Sequence, residues 1–277
     1  MKKIIVILLV AVFAISLCAC KAKEDSSDSI EQYVAPDFSE KIDTGTLEFE
    51  EGHAETAVIS KYSGLATTHD VVIPQVIAER EVSGIGKGAF YQLSAVKSVD
   101  IPDTVTFIGE FAFSGCTALE TIVIPASVTY IDAYAFQGCT ALKTVIFEGN
   151  VLESIGDFAF LGCTSLETIV LPEGLKSIGD WTFGKCAKIT SIKTPSTLEE
   201  IGTLTFFGCD GLDALGALEL SASITEIGEY AFAGINKHFI TVPAGSYAAQ
   251  YVADMAEEQE SESDEDSDSE QESENNE

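Results

Sequence analysis

The chain carries little positive charge. Fifteen Lys and Arg residues stand against 45 Asp and Glu, a formal net charge of −30 over 277 residues. Nucleic-acid binding is excluded on that ground, because phosphate contacts need clustered cations. Electrostatic docking on an anionic bilayer fails for the same reason. Histidine is scarce as well. His53, His69 and His238 are the three present, and none sits in H-E-x-x-H or at metal-ligand spacing from Cys or Asp. They read as loop or surface residues. There is no G-x-S-x-G elbow. The glycine-rich stretch GIGKGAF (Gly84 to Phe90) lacks phosphate-loop spacing and simply begins a repeat. Carboxylates are too numerous for any pair to carry specificity, and the acidic C-terminus lacks the glycine and spacing of an EF-hand loop. The reading is therefore no enzyme, no cofactor and no metal.

Long apolar runs are missing too, except at the N-terminus. Lys2 and Lys3 precede an apolar run from Ile4 to Leu17, too short for a comfortable membrane span and fitting a signal peptide. It ends Leu17-Cys18-Ala19-Cys20. That ending resembles the bacterial lipobox, with an aliphatic residue at −3 and a small one at −1. The resemblance implies lipidation of the Cys20 thiol and cleavage before it. Cys18 follows Leu17, a poor −1 residue, so Cys20 is the better acceptor. An ordinary cleaved signal with an incidental cysteine is the alternative. Two or three acyl chains would anchor the protein stably where one would not.

The remaining chain divides by composition. Residues 20–45 are polar and acidic and read as a flexible tether. Residues 253–277 read as a disordered acidic tail. From Glu257 onward, 12 of 21 residues are Asp or Glu, too few apolar groups to offset ordering entropy. Residues 46–84 suggest a capping hairpin around Gly52 followed by a degenerate coil. Residues 85–252 are repeats with a C-terminal cap, ITVPAGSYAAQYV, read as a last strand and a closing helical turn.

The repeat decides the fold. Ile85, Ile108, Ile131, Ile155, Ile178, Ile201 and Ile227 recur at spacings of 23, 23, 24, 23, 23 and 26. The unit reads I-G-x-x-A-F-x-G-C-x-x-L-x-x-I-x-I-P. Its L-x-x-I-x-I part predicts a short strand, with Leu119, Ile122 and Ile124 inward and Glu120, Thr121 and Val123 outward. Pro125 stops it. The Ala-Phe pair begins a helical or 3₁₀ turn, which the following Gly ends with a positive φ. One unit cannot bury its own apolar face, but stacked units can, about 4.8 Å apart in a parallel sheet. Seven or eight coils give a solenoid roughly 35–40 Å long.

From about Thr46 to Val252 these residues resemble the BspA-type (treponemal-class) leucine-rich repeat, found mainly in bacterial surface and secreted proteins. The resemblance implies a curved leucine-rich-repeat solenoid with a parallel β-sheet of short strands on its concave face and helical or 3₁₀ turns elsewhere. It also implies binding of proteins. The functional expectation is a lipid-anchored cell-surface protein that binds a host or envelope protein, or a glycan, through the concave face. An envelope scaffold or spacer without a specific ligand is the alternative.

Candidate binding residues come from reading columns across coils. Lys97, Glu120, Lys143, Glu167 and Thr190 alternate in sign and suggest lateral ion pairs, each worth at most about 1 kcal/mol. Thr121, Thr144 and Thr168 continue a hydroxyl row that starts at Ser98 and ends at Ser191, suiting either β-propensity or polar docking. Val123, Ile146 and Val170 form an apolar stripe between Asp100 and Lys193, read as strand formers or as an interaction surface with a polar rim. Phe111, Tyr134, Phe158, Trp181, Leu204 and Tyr230 form an aromatic column that either packs coil on coil or offers an exposed edge.

Five of the seven cysteines form a column: Cys116, Cys139, Cys163, Cys186 and Cys209. Leu93 and Ile235 take the same position in flanking coils, and neither can replace a ligand or a disulfide partner. Side chains in register run parallel rather than converging. A packed structural ladder is the favoured reading; strained adjacent disulfides and a metal are the alternatives.

Overall fold

The structure, a computed structural model, describes residues 4–6, 46–64, 69–213 and 217–255. Each coil contributes two short parallel strands joined by tight turns, so the solenoid has two kinds of sheet. The longer ladder runs through the Ile-Gly positions. It passes from Ala57–Ser63 through Arg80–Ile85, Phe107–Ile108, Tyr130–Ile131, Ser154–Ile155, Ser177–Ile178, Glu200–Ile201 and Glu226–Ile227, every step parallel. In the sequence the Ile-Gly pair served only as a register mark. It forms strands because the isoleucine points inward and is buried, while the glycine lets the backbone of the preceding coil approach. A Cβ at Gly109 would lie 2.9 Å from the carbonyl oxygen of Ile85.

The expected L-x-x-I-x-I strands form the second ladder, in three blocks. Asp70–Val72 pairs with Ser98–Asp100; Thr121–Ile124, Thr144–Phe147 and Thr168–Ile169 pair in succession; Ile192–Lys193, Leu218–Glu219 and Ile240–Thr241 follow. Single backbone bonds bridge the block boundaries, Glu120 N–H to Lys97 O at 3.1 Å and Thr190 N–H to Glu167 O at 3.4 Å.

Between the two ladders lies a spine of phenylalanines. Phe90, Phe113, Phe136, Phe160, Phe183, Phe206 and Phe232 are fully buried. They stack one per coil with centroids 4.9 to 5.8 Å apart and planes within 16° of parallel. Tyr62 stacks on one end at 5.3 Å, and Tyr251 meets the other edge-on at 5.7 Å. Identical rings at one coil spacing are the interior counterpart of the repeat period.

The turn before each phenylalanine is left-handed. Phe111, Tyr134, Phe158, Trp181, Leu204 and Tyr230 all have φ between 54° and 60°. Such a conformation costs a non-glycine residue roughly 1–2 kcal/mol. Inter-coil bonds offset it: the N–H groups of Tyr134, Phe158 and Trp181 donate to the next coil's Asp157, Asp180 and Thr203 carbonyls at 2.9, 2.7 and 2.9 Å. The glycine before each cysteine is left-handed as expected, at φ 75° for Gly115 and 73° for Gly162, but Gln92 and Lys185 hold the same conformation at 59° and 61°.

Both ends are covered. Thr46–Glu51 and Ala57–Ser63 form an antiparallel hairpin over the first coil, its apolar face supplied by Phe49, Ala57 and Ile59. In the uncleaved chain residues 4–6, within the segment read as a signal peptide, pair with the outer edge of that hairpin. At the other end a helical segment over 247–255 starts at Ser246, whose Oγ accepts the Ala249 N–H at 3.1 Å. Tyr251 from this segment donates its hydroxyl to Gly228 O at 2.9 Å, closing the last coil.

Candidate interaction face

The central block of the L-x-x-I-x-I ladder brings the candidate binding residues together. Thr121, Thr144 and Thr168 are partners in register, and Val123 pairs with Ile146. Their neighbours Ile122, Val145 and Ile169 point inward and are buried, which fixes the others outward. Val123 and Ile146 are half-buried by their neighbours, whereas Val170 is 80% exposed. The stripe is therefore uneven, and its accessible apolar end lies at Val170.

Charge frames the stripe. Asp100 and Asp103 stand at one end, and Glu148, which follows the strand of Ile146, lies close enough to interact with both. Burial, then the neighbouring Asp103, raises the carboxyl of Asp100 above its ordinary range; burial, then Asp103 and Asp100, does the same for Glu148. Glu148 occupies the place of the strand-ending proline in its coil, a position the column reading did not follow. Forty-five residues of chain separate Glu148 from Asp103, so only the coil register reveals the cluster. At the other end Lys193 pairs with Glu219 at 3.6 Å. In the alternating-sign column, the ion pair among the described residues is Lys143 with Glu120, at 3.1 Å. With its ammonium engaged on that side, the reach to Glu167 goes unused.

The aromatic column packs coil on coil and is also partly open. Phe111, Tyr134 and Phe158 stack at 4.6 and 4.7 Å, and Trp181 follows at 6.4 Å. Their faces are taken by one another, leaving edges outward. Leu204 interrupts the stack, and Tyr230 beyond it is 63% exposed.

The cysteine column is buried and its five thiols are free. Each Sγ donates to the carbonyl of the phenylalanine one coil back: Cys116 to Phe90, Cys139 to Phe113, Cys163 to Phe136, Cys186 to Phe160 and Cys209 to Phe183, at 3.1 to 3.3 Å. Burial pushes the Cys116 and Cys209 thiols up to about 12, and the other three well above their ordinary value. Such thiols are neither nucleophiles nor ligands near neutral pH. His53, His69 and His238 are exposed, and among the described residues no three His, Cys, Asp or Glu converge to hold a metal. No helix among the described residues is long and apolar enough to cross a membrane. Cys20, the tether and residues 256–277 of the acidic tail lie outside the described residues, while residues 253–255, read as part of the tail, belong to the closing helix.

Comparison with known proteins agrees with this geometry. The family model described as the BspA type leucine-rich repeat region matches residues 69–153 and 150–252 in six copies. The leucine-rich repeat protein of T. pallidum is 29% identical, with a TM-score of 0.62, over 68% of this chain and 86% of that one. A leucine rich cell surface protein from Faecalibacterium prausnitzii A2-165 is 32% identical, with a TM-score of 0.60, over 71% of this chain; the match spans 52% of that protein's length. A leucine-rich repeat protein from Eubacterium ventriosum is 26% identical, with a TM-score of 0.57, over 69% of this chain and 48% of that one. No curated protein matches the chain. With stacked coils, a shared repeat and these relatives in agreement, the chain belongs to the BspA-type leucine-rich-repeat family.

Proposed function

We propose that the protein is a lipid-anchored component of the bacterial cell surface that binds another macromolecule through the central L-x-x-I-x-I block. Leucine-rich-repeat proteins of this kind generally serve as interaction scaffolds rather than enzymes. The observation that carries the reading is Val170. A valine that is 80% exposed, continuing an in-register Val123–Ile146 pair and framed by charge, is the arrangement of an apolar contact with a polar rim. The hydroxyls of Thr121, Thr144 and Thr168 lie beside it in register and offer hydrogen bonds to a protein or glycan partner. Anchoring at Cys20 would hold this face outside the cell, with the tether setting its distance from the membrane.

The test is binding of the full chain to immobilised extracellular-matrix proteins, envelope proteins and a glycan array. Val170→Asp should abolish the interaction found and leave the thermal midpoint unchanged, because the side chain is already in water. Binding that survives Val170→Asp together with Ile146→Asp would reject this face. For the anchor, Cys20→Ala should move the protein out of the detergent phase and end incorporation of a palmitate label; unchanged partition would rule out lipidation there.

A further inference from the structure

The outer face of the Ile-Gly ladder carries a step. Phe107 and Tyr130 take the outward place before the isoleucine in neighbouring coils, and their rings stack at 5.5 Å with planes 7° apart. The stack begins on bare backbone, because Phe107 lies over Gly84, where a Cβ would collide with its ring. It stops after two rings. The partner of Tyr130 in the next coil is Ser154, and the one after that is Ser177. Tyr130 is 42% exposed, and among the described residues Phe107 is the one ring stacked on it. Its second face is open on the side of Ser154.

The same coil departs from the repeat a second time. Asp132 stands where the other coils of this ladder have glycine. It is exposed, and its Oδ1 accepts the Ala133 N–H at 2.8 Å. Burial, then this carboxylate, raises the Tyr130 hydroxyl above its ordinary value, so ring and carboxylate stand side by side. Beyond this wall the next two coils present only serine, inward isoleucine and glycine, at residues 154–156 and 177–179. An open groove of about 380 Å³ lies on that floor. Neither serine hydroxyl has a hydrogen-bond partner among the described residues. Glu200 lines the far side, three strands from Tyr130 and so roughly 14 Å away. Exposed carboxylates occur all over this solenoid and carry no specificity by themselves. A ring with one free face above a bare floor sets this place apart.

We infer that this trough binds a neutral glycan, with one pyranose ring stacked on the free face of Tyr130. Such a ring continues the Phe107–Tyr130 stack where the protein's own rings end. A pyranose with equatorial hydroxyls has a flat C–H face, which the negative face of an aromatic ring attracts. Its hydroxyls lie around the edge, where they can donate to Asp132 and Glu200 and exchange bonds with Ser154 and Ser177. A concave site with an aromatic wall and a few placed polar groups is the common form of a small-ligand site. An aromatic side chain of a partner protein would stack as well, but it would bring no donors for these groups. Acidic sugars are repelled by the same carboxylates. The site lies on the other ladder from the face proposed above and does not depend on it.

Cellopentaose and chitopentaose are the probes, titrated into the full chain by calorimetry, with a galacturonic acid pentamer as the acidic control. At least one neutral probe should bind saturably, and the control should not. Tyr130→Ala should weaken binding at least about ten-fold. Tyr130→Phe keeps the ring and should keep the affinity. Ser154→Trp fills the place of the sugar and should block binding while the thermal midpoint shows the chain folded. Val170→Asp should leave sugar binding intact. No binding of either neutral probe, equal binding of the acidic one, or unchanged affinity in Tyr130→Ala would overturn the inference. So would loss of sugar binding in Val170→Asp, which would put the sugar on the other face.

Discussion

The rings of Phe136 and Phe160, in adjacent coils, lie 5.1 Å apart and within 3° of parallel. Both are fully buried, and each also stacks on the coil beyond. Phe160→Ala should therefore destabilise the protein by about 3–5 kcal/mol. Phe90→Ala, next to the Tyr62 cap, should cost less if the end of the solenoid relaxes into the space. Urea unfolding of the two variants compares them directly.

The thiols predict their own silence. Alkylation of native protein at pH 8, followed by peptide mapping, should leave Cys116, Cys139, Cys163, Cys186 and Cys209 unmodified. All five should react once the chain unfolds. Cys163→Ser should be milder than a typical polar change in a core, because a hydroxyl can take over the donation to Phe136 O.

The left-handed turns allow a test of backbone cost without packing. At Gly162, φ is 73° and an added Cβ would meet nothing within 4 Å. Gly162→Ala should cost about 1–2 kcal/mol, all of it conformational. Lys185 already bears this cost at φ 61°. Lys185→Gly should return a few tenths to about 1 kcal/mol, the gain being reduced by the extra freedom of glycine in the unfolded chain. Thermal midpoints of the two variants should move in opposite directions.

Asp100 and Glu148 predict a pH dependence. Their folded carboxyls are raised by burial first and then by neighbouring acids, so the native state binds more protons than the unfolded one as the pH falls from neutral. Their contribution is greatest below the unfolded values, near pH 4, and is lost as pH rises through the folded ones. Asp103→Asn removes the neighbour common to both. It should raise the thermal midpoint at pH 7 and reduce the gain on mild acidification, seen by unfolding at several pH values.

The solenoid was legible in the sequence because its determinants recur. Ile and Phe return at fixed places in coil after coil, with Cys and Leu at theirs in most, and a side chain that repeats at the coil spacing has to stack. The L-x-x-I-x-I strands were readable from the alternation in Leu119 to Ile124. The Ile-Gly ladder was harder to see, since a two-residue strand has no alternation to display and its pairing exists only between coils. Glu200 and Glu226 stand 26 residues apart in the chain and become neighbours only in the stack. The left-handed aromatic column was invisible to propensity, because phenylalanine, tyrosine and tryptophan are residues that sequence rules assign to extended backbone.

A hairpin closes one end of this stack and a short helix closes the other, while the coils between them share one Ile-Gly ladder and one phenylalanine spine. Length is therefore a free parameter of the architecture. Removing one complete coil, from Ile131 to the residue before Ile155, would bring equivalent positions together and leave the rings, thiols and ladders on either side in register. Adding or removing whole turns in this way changes the distance of the apolar stripe from either cap without redesigning the stripe or the caps.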